Sequence, residues 1–138
     1  MEYNSLIPEF LVQDLPKSMH FYCDMLGFKI EYQRVEAKFA FLSFHGSQLM
    51  LEERRGSWET AAMEYPYGRG VNFQFAVPDL SSVVSALEAA KYPLYQPISE
   101  NWYRKDNEEV GIRQLLVLDP DGYFLRFVVN LGTRNLKR

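Results

Sequence analysis

Apolar residues in this chain recur with two periods. Alternation with a period of two runs through FKIEYQRV (28–35), KFAFLSF (38–44), SQLMLEER (47–54) and VNFQFAV (71–77), as it does in half-buried strands. A period near 3.6 takes over in two places. Met19, Tyr22, Cys23 and Leu26 make one helical stripe, and Leu80, Val83, Val84, Leu87 and Ala90 make a second. Asp14 and Asp79 stand ahead of the stripes as N-caps, because a short carboxylate accepts from the orphan amides of a first turn. Pro16 falls inside the first turn, where its missing N–H is harmless. Gly27 is placed to stop the first helix, and Pro93 ends the second by Tyr92.

The two stripes belong to an internal repeat. FLVQDLPKSMHFYCDMLGFKI starts at Phe10 and FAVPDLSSVVSALEAAKYPLY at Phe75. Side by side, Phe10 meets Phe75, Val12 meets Val77, Asp14 meets Asp79, Leu15 meets Leu80 and Tyr22 meets Leu87. Each half therefore runs strand, capped helix, further strands. The expected architecture is α+β: two tandem βαβββ modules in one domain (1–138), with helices on the outer face of a cupped mixed sheet. Module one spans 5–55, a polar and glycine-rich linker spans 56–69, and module two spans 70–131. In module two a weak strand near Leu94, one at Asn101–Arg104, a clear one at Ile112–Leu118 and a last one at Tyr123–Asn130 are expected, the last two joined by Asp121-Gly122. NWYRKDNEEVG (101–111) reads as a polar stretch between weak strands.

Alternation also sorts each strand into two rows. Phe10 and Val12, Leu49 and Leu51, Phe73 and Phe75, and Leu125 and Phe127 form the helix-covered rows. Opposite them stand Ile7, Glu9 and Leu11; Gln48, Met50 and Glu52; Asn72 and Gln74; and Phe124, Arg126 and Val128. Apolar residues interleaved with amides, carboxylates and a guanidinium suit the wall of a wet cavity better than a dry core. Arg126 is the oddest member: either it pairs with Glu52 or Glu9, or it grips an anionic group of a ligand.

Composition narrows the function classes. A net charge of −3, with no basic run beyond the RNLKR ending, argues against nucleic-acid binding, and that ending reads as a solvated tail. Cys23 is the single cysteine, so a disulfide within the chain is excluded; its place on the helical stripe makes it a small core hydrophobe. No apolar run approaches the ~20 residues of a membrane helix, and MEYNSLIPEF lacks the basic and apolar regions of a signal peptide, so a cytoplasmic location is expected. Aromatic residues make up 15% of the chain, which suits a ligand groove as well as a core.

The motifs Asp14-Leu15, Ser18, Phe21-Tyr22, Leu26-Gly27-Phe28 and Asp119-Pro120-Asp121-Gly122-Tyr123 resemble those of the vicinal-oxygen-chelate superfamily. That superfamily includes glyoxalase I, extradiol dioxygenases, fosfomycin-modifying enzymes and bleomycin-resistance proteins. The resemblance spans Leu6 to Asn130 and implies a homodimer. Motif matching puts the four metal-ligand places of the family's enzymes at Ile7, Met50 (or Glu52), Asn72 and Arg126. A divalent metal wants three ligands among imidazole, carboxylate and thiolate, and this set does not supply them.

The branch left is the metal-free bleomycin-resistance type, which the chain resembles in length, charge and its LMLEE, DPDG and L-R-F pieces. That resemblance implies sequestration, without cofactor or catalysis, of a large cationic drug in grooves at the subunit interface. The residues it assigns to ligand contact are Glu9, Phe39, Phe41, Gln48, Met50, Glu52, Asn72, Gln74, Trp102, Tyr103 and Arg126. The chain departs from some of those proteins at Val110-Gly111, where they carry a tryptophan; here the nearest is Trp102. A glyoxalase-like lyase or isomerase, and a sensor or storage protein for an aromatic metabolite, stay open as alternatives.

Overall fold

The computed structural model describes residues 1–136; Lys137 and Arg138, at the end of the expected basic tail, lie outside them. The first module comprises β1 (Glu9–Val12), α1 (Leu15–Met19), a π-helical stretch His20–Met25, β2 (Lys29–Arg34), a 3-10 turn Val35–Ala37, β3 (Phe39–Phe44) and β4 (Ser47–Glu53). Its sheet runs β1-β4-β3-β2, with β1 parallel to β4 and the other pairs antiparallel. The second module comprises β5 (Asn72–Ala76), α2 (Ser81–Ala89), β6 (Gln96–Lys105), β7 (Glu108–Leu118) and β8 (Phe124–Asn135). Its sheet runs β5-β8-β7-β6, with β5 parallel to β8. The fold is α+β, built from two tandem βαβββ modules, each a mixed four-stranded sheet with a flanking helix. The chain divides into two compact units, 1–70 with 119–123, and 71–118 with the chain from 124 onward.

In the first unit Phe10, Val12, Leu49 and Leu51, the covered row that alternation identifies, are sealed from water, and Leu42 beside Leu49 joins them. Asp14 caps α1 as expected, accepting from the Lys17 backbone N–H at 3.1 Å. The helix then departs from a simple 3.6-residue stripe. The Leu26 N–H donates to the Phe21 carbonyl, five residues back, at 3.1 Å. This wider turn lets the adjacent Phe21 and Tyr22 both enter the core, while Met19 and Cys23 stay half-buried. Partial burial still pushes the Cys23 thiol up to about 11, so the thiolate is scarce at neutral pH. In α2 Val83 and Leu87 are buried, but Ala90 is exposed. Asp79 is not the N-cap; Leu80 takes that place, and the Asp79 carboxylate accepts from the Ser81 backbone N–H at 2.9 Å and from the Ser81 hydroxyl.

The structure refines three further expectations. The strand expected at Asn101–Arg104 lies within β6, and the 101–111 stretch is the end of a long hairpin in which β6 and β7 are joined by Asp106 and Asn107. Its polar residues alternate on an exposed ribbon, so no apolar row marks it. Next, β8 does not stop at Asn130: it runs to Asn135, and Arg134 of the supposed tail pairs with Glu109 at 2.9 Å. Finally, the polar segment after β4 is tied down by a buried aromatic. Tyr67 is 3% exposed, and its N–H donates to the Asp121 carbonyl at 2.9 Å.

That last bond ends on the turn 119–123, which is densely hydrogen-bonded. Asp119 is 1% exposed. Its carboxylate accepts from the Tyr22 hydroxyl at 2.7 Å and from the Asp121 and Tyr123 backbone N–H groups at 2.9 Å each. Tyr123 stacks on Phe10 with ring centroids 4.1 Å apart, and its hydroxyl donates to the Leu11 carbonyl at 2.8 Å. Gly122 has φ +91°, and a Cβ there would come within 2.5 Å of the Pro66 Cα.

Two expectations follow from this turn. Gly122→Ala combines a left-handed backbone with a backbone collision and should cost about 1–3 kcal/mol, read as a lower urea midpoint. Burial pushes the Asp119 carboxyl up to about 6, against the lowering pull of the hydrogen bonds it accepts. The unfolded chain should titrate near ~4, so the folded state holds this proton more tightly. Its contribution to stability is absent above about pH 7 and grows as pH falls through about 6 towards about 4. The stability difference between wild type and Asp119→Asn, from urea unfolding, should therefore increase from pH 7 to pH 5; a constant difference contradicts the shifted carboxyl.

Candidate functional site

β1, β3 and β4 each turn one row of side chains to the face of the first sheet opposite Phe10 and Leu51. Register decides the neighbours: Glu9 lies beside Met50, Leu11 and Phe39 beside Glu52, and Phe41 beside Met50. On this face opens a cavity of about 580 Å³, within the ~300–1,000 Å³ usual for small-molecule sites. Ile7, Leu11, Phe39 and Met50 give it apolar walls, and Glu9 and Glu52 bring carboxylates. Arg34 and Arg55 also line it, together with Trp58, which is 81% exposed.

The charges in the cavity are unevenly partnered. Glu52 is nearly buried and forms an ion pair with Arg55 at 3.2 Å. The Arg34 guanidinium sits 4.6 Å above the centre of the Phe39 ring. The Glu9 carboxylate is exposed and, among the described residues, makes no hydrogen bond and no ion pair. Desolvation, helped by the Glu52 charge, raises its carboxyl above the usual range, while Arg34 and Arg55 pull the other way. The cavity thus combines aromatic and aliphatic surface with two carboxylates and two guanidinium groups, and the exposed Glu9 carboxylate, which has no ion pair, is the group there that can take a positively charged partner.

Of the residues expected to touch a ligand, Glu9, Phe39, Met50 and Glu52 meet here. Phe41 and Gln48 stand in the same rows but are roofed by the N-terminal segment. Tyr3 packs edge-on against Phe41, which stacks on Tyr32, and the Gln48 amide bonds the Asn4 N–H and the Glu2 carbonyl, both at 2.7 Å. Arg34 escaped the sequence reading, although alternation along β2 puts it in one row with Tyr32. Arg55, just past the end of β4, also escaped it.

The second unit gathers a different group. The Arg126 Nε donates to Asn72 Oδ1 at 2.9 Å, Nη2 to Gln74 Oε1 at 2.8 Å and Nη1 to Gln114 Oε1 at 3.1 Å. Asn72 and Gln74 thus gather at Arg126, whose partners are amides and not Glu52 or Glu9. Gln114, which periodicity alone did not single out, completes the ring. Trp102 and Tyr103 lie on β6. The Trp102 indole packs so closely over Gly111 that a Cβ there would meet it at 2.6 Å, and the Arg134 guanidinium covers it at 4.0 Å.

A family model described as the Glyoxalase/Bleomycin resistance protein/Dioxygenase superfamily matches residues 7–127. The chain belongs to this superfamily. A superfamily member from Vibrio splendidus is 31% identical and aligns over 89% of this chain and 95% of its own, with a TM-score of 0.42. A glyoxalase/bleomycin resistance protein/dioxygenase from Alicyclobacillus acidocaldarius is 21% identical over 94% of this chain and 92% of its own, with a TM-score of 0.61. A virulence protein from Salmonella typhimurium is 19% identical over 94% and 98%, with a TM-score of 0.66. These last two share the fold. No curated protein matches the chain.

Membership of the glyoxalase superfamily raises the question of a metal. At the places matched to metal ligands, Ile7 and Met50 offer no hard donor, and the oxygen of Asn72 is engaged by Arg126, itself a cation. Glu52, the alternative to Met50, is held by Arg55. Among the described residues no group of three His, Cys, Asp or Glu side chains is arranged to hold a metal ion. His20 pairs with Asp24 at 3.1 Å, and both are well exposed. The residues present do not fit a divalent cation.

The electrostatics can be checked directly. Glu52→Gln should lower the Glu9 titration midpoint by removing a like charge and releasing Arg55, whereas Arg55→Gln should raise it. Side-chain carboxyl carbon shifts followed against pH read both; a Glu9 midpoint indifferent to either change contradicts the described coupling.

Proposed function

We propose that this superfamily member binds and sequesters a small or medium organic ligand without a metal, and that its ligand is a cationic, ring-bearing molecule of the bleomycin class. The observation that carries the reading is the cavity on the first sheet, where the Glu9 carboxylate, without an ion pair, stands among Phe39, Trp58, aliphatic walls and the Arg34 and Arg55 guanidinium groups. A flat cationic group finds there a ring to stack on and a carboxylate to pair with. The donor set that does not fit a cation supports binding independent of metal. The bleomycin-resistance name borne by the superfamily supports the ligand class by analogy. In this reading the protein acts in the cytoplasm as a homodimer, with one ligand site per chain, and performs no chemistry on what it holds.

Titration with copper-free bleomycin should change Trp58 emission saturably in the micromolar range, with the response lost in Trp58→Phe. Glu9→Gln should weaken binding about tenfold, the loss of roughly 1.4 kcal/mol expected for one charge-assisted contact. Light scattering should give twice the chain mass. Absence of saturable binding removes the drug from the reading; turnover of an added organic substrate would replace sequestration with a metal-free enzyme.

A further inference from the structure

The second unit holds a charge that the cavity does not use. Arg126 lies in the middle of β8, beside Gln74 of β5 on one side and Leu116 of β7 on the other. It is only partly exposed, and no described carboxylate lies within ion-pair distance of it. Its hydrogen bonds end instead on the Asn72, Gln74 and Gln114 amides. Neutral amide oxygens solvate a guanidinium, but they do not cancel its charge.

The chemistry of this ring is directional. A guanidinium can only donate, so each amide must present its oxygen to Arg126 and turn its NH₂ group elsewhere. Among the described residues those three NH₂ groups have no acceptor. The guanidinium carries five N–H donors, and three are engaged. The two left belong to the two terminal nitrogens, one on each. A full positive charge, two spare guanidinium donors and three donor-ended amides therefore share one sheet face. Phe124 and Val128 flank Arg126 on that row, and Leu116 and Val128 are almost fully buried. A charge-assisted bond gains strength beside such apolar surface.

We propose that Arg126, with Asn72, Gln74 and Gln114, forms a binding site for the carboxylate of a small organic acid. A cation is disfavoured here, since every amide oxygen already faces the guanidinium, whose charge would repel it. A planar carboxylate can accept from both spare guanidinium donors while the amide NH₂ groups close around it. The apolar neighbours favour an acid with a hydrophobic body over a fully hydrated inorganic anion. The site lies on residues distinct from those of the cavity, so its fate is independent of the drug-binding reading.

The test uses isotope-labelled full-length protein titrated at constant ionic strength with benzoate, acetate, inorganic phosphate and chloride. The Arg126 Nε–H signal and the side-chain amide signals of Asn72, Gln74 and Gln114 are followed. Benzoate should shift them saturably at millimolar concentrations or below, and more tightly than acetate. Arg126→Gln, checked for folding by its backbone amide spectrum, should lose the response at least tenfold, and Arg126→Lys should retain only part of it. Should phosphate saturate the signals with benzoate silent, the carboxylate assignment is overturned. Equal responses to chloride and benzoate, or an undiminished response in folded Arg126→Gln, overturn the site itself.

Discussion

The first unit depends on one buried carboxylate. Asp119 arrives from far along the chain, and it is bonded at once by a tyrosine hydroxyl from the helix and by two amides of its own turn. A buried carboxylate is tolerable only when such donors replace the water it has lost, and the upward shift of its titration shows how incompletely they do so. Around that bond the other contacts fall into place. Tyr123 reaches Phe10 and the carbonyl of Leu11 on β1, and Tyr67 closes over the turn. β1 also carries Glu9, so the strand that positions the carboxylate of the cavity is the one that this turn braces.

The two units use the same plan with different electrostatics. In the first, two carboxylates and two guanidinium groups share the sheet face, and Glu52 and Arg55 are paired while Glu9 and Arg34 are not paired with each other. In the second, a single cation is held by neutral dipoles, and every free hydrogen-bonding atom of the ring is a donor. One duplicated architecture thereby presents two sheet faces of different charge pattern on the same kind of core.

Much of the fold was legible in the sequence because it rests on periodicity. Strand rows, the Asp14 cap, the Gly27 stop and the doubling of the module all follow from spacing and from which residues tolerate a turn. What alternation could not supply was the effect of segments lying across a row. Phe41 and Gln48 have the right parity for a cavity wall, yet Tyr3 and Asn4 cover them. Strands at Asn101–Arg104 and Ile112–Leu118 were legible, but the full length of the β6–β7 ribbon was not, because its end is polar, and Trp102 owes its seat to the missing side chain of Gly111. For Arg126 the sequence located the charge but misjudged its company: a long side chain in a sheet meets its lateral neighbours first, and here those are amides.

The widened turn after α1 has a further implication, for the history of the chain's length. One more residue than an α-helix needs has been absorbed between Leu15 and Leu26, and it is what allows two consecutive aromatic rings to face inward. Removing a residue there would restore ordinary helical winding and expel one ring from the interior, taking the Tyr22 hydroxyl away from its acceptor. The exposed two-residue connection at Asp106-Asn107 carries no such burden. Insertions and deletions among descendants of this sequence should thus collect at the ribbon tip and be purged from the helix.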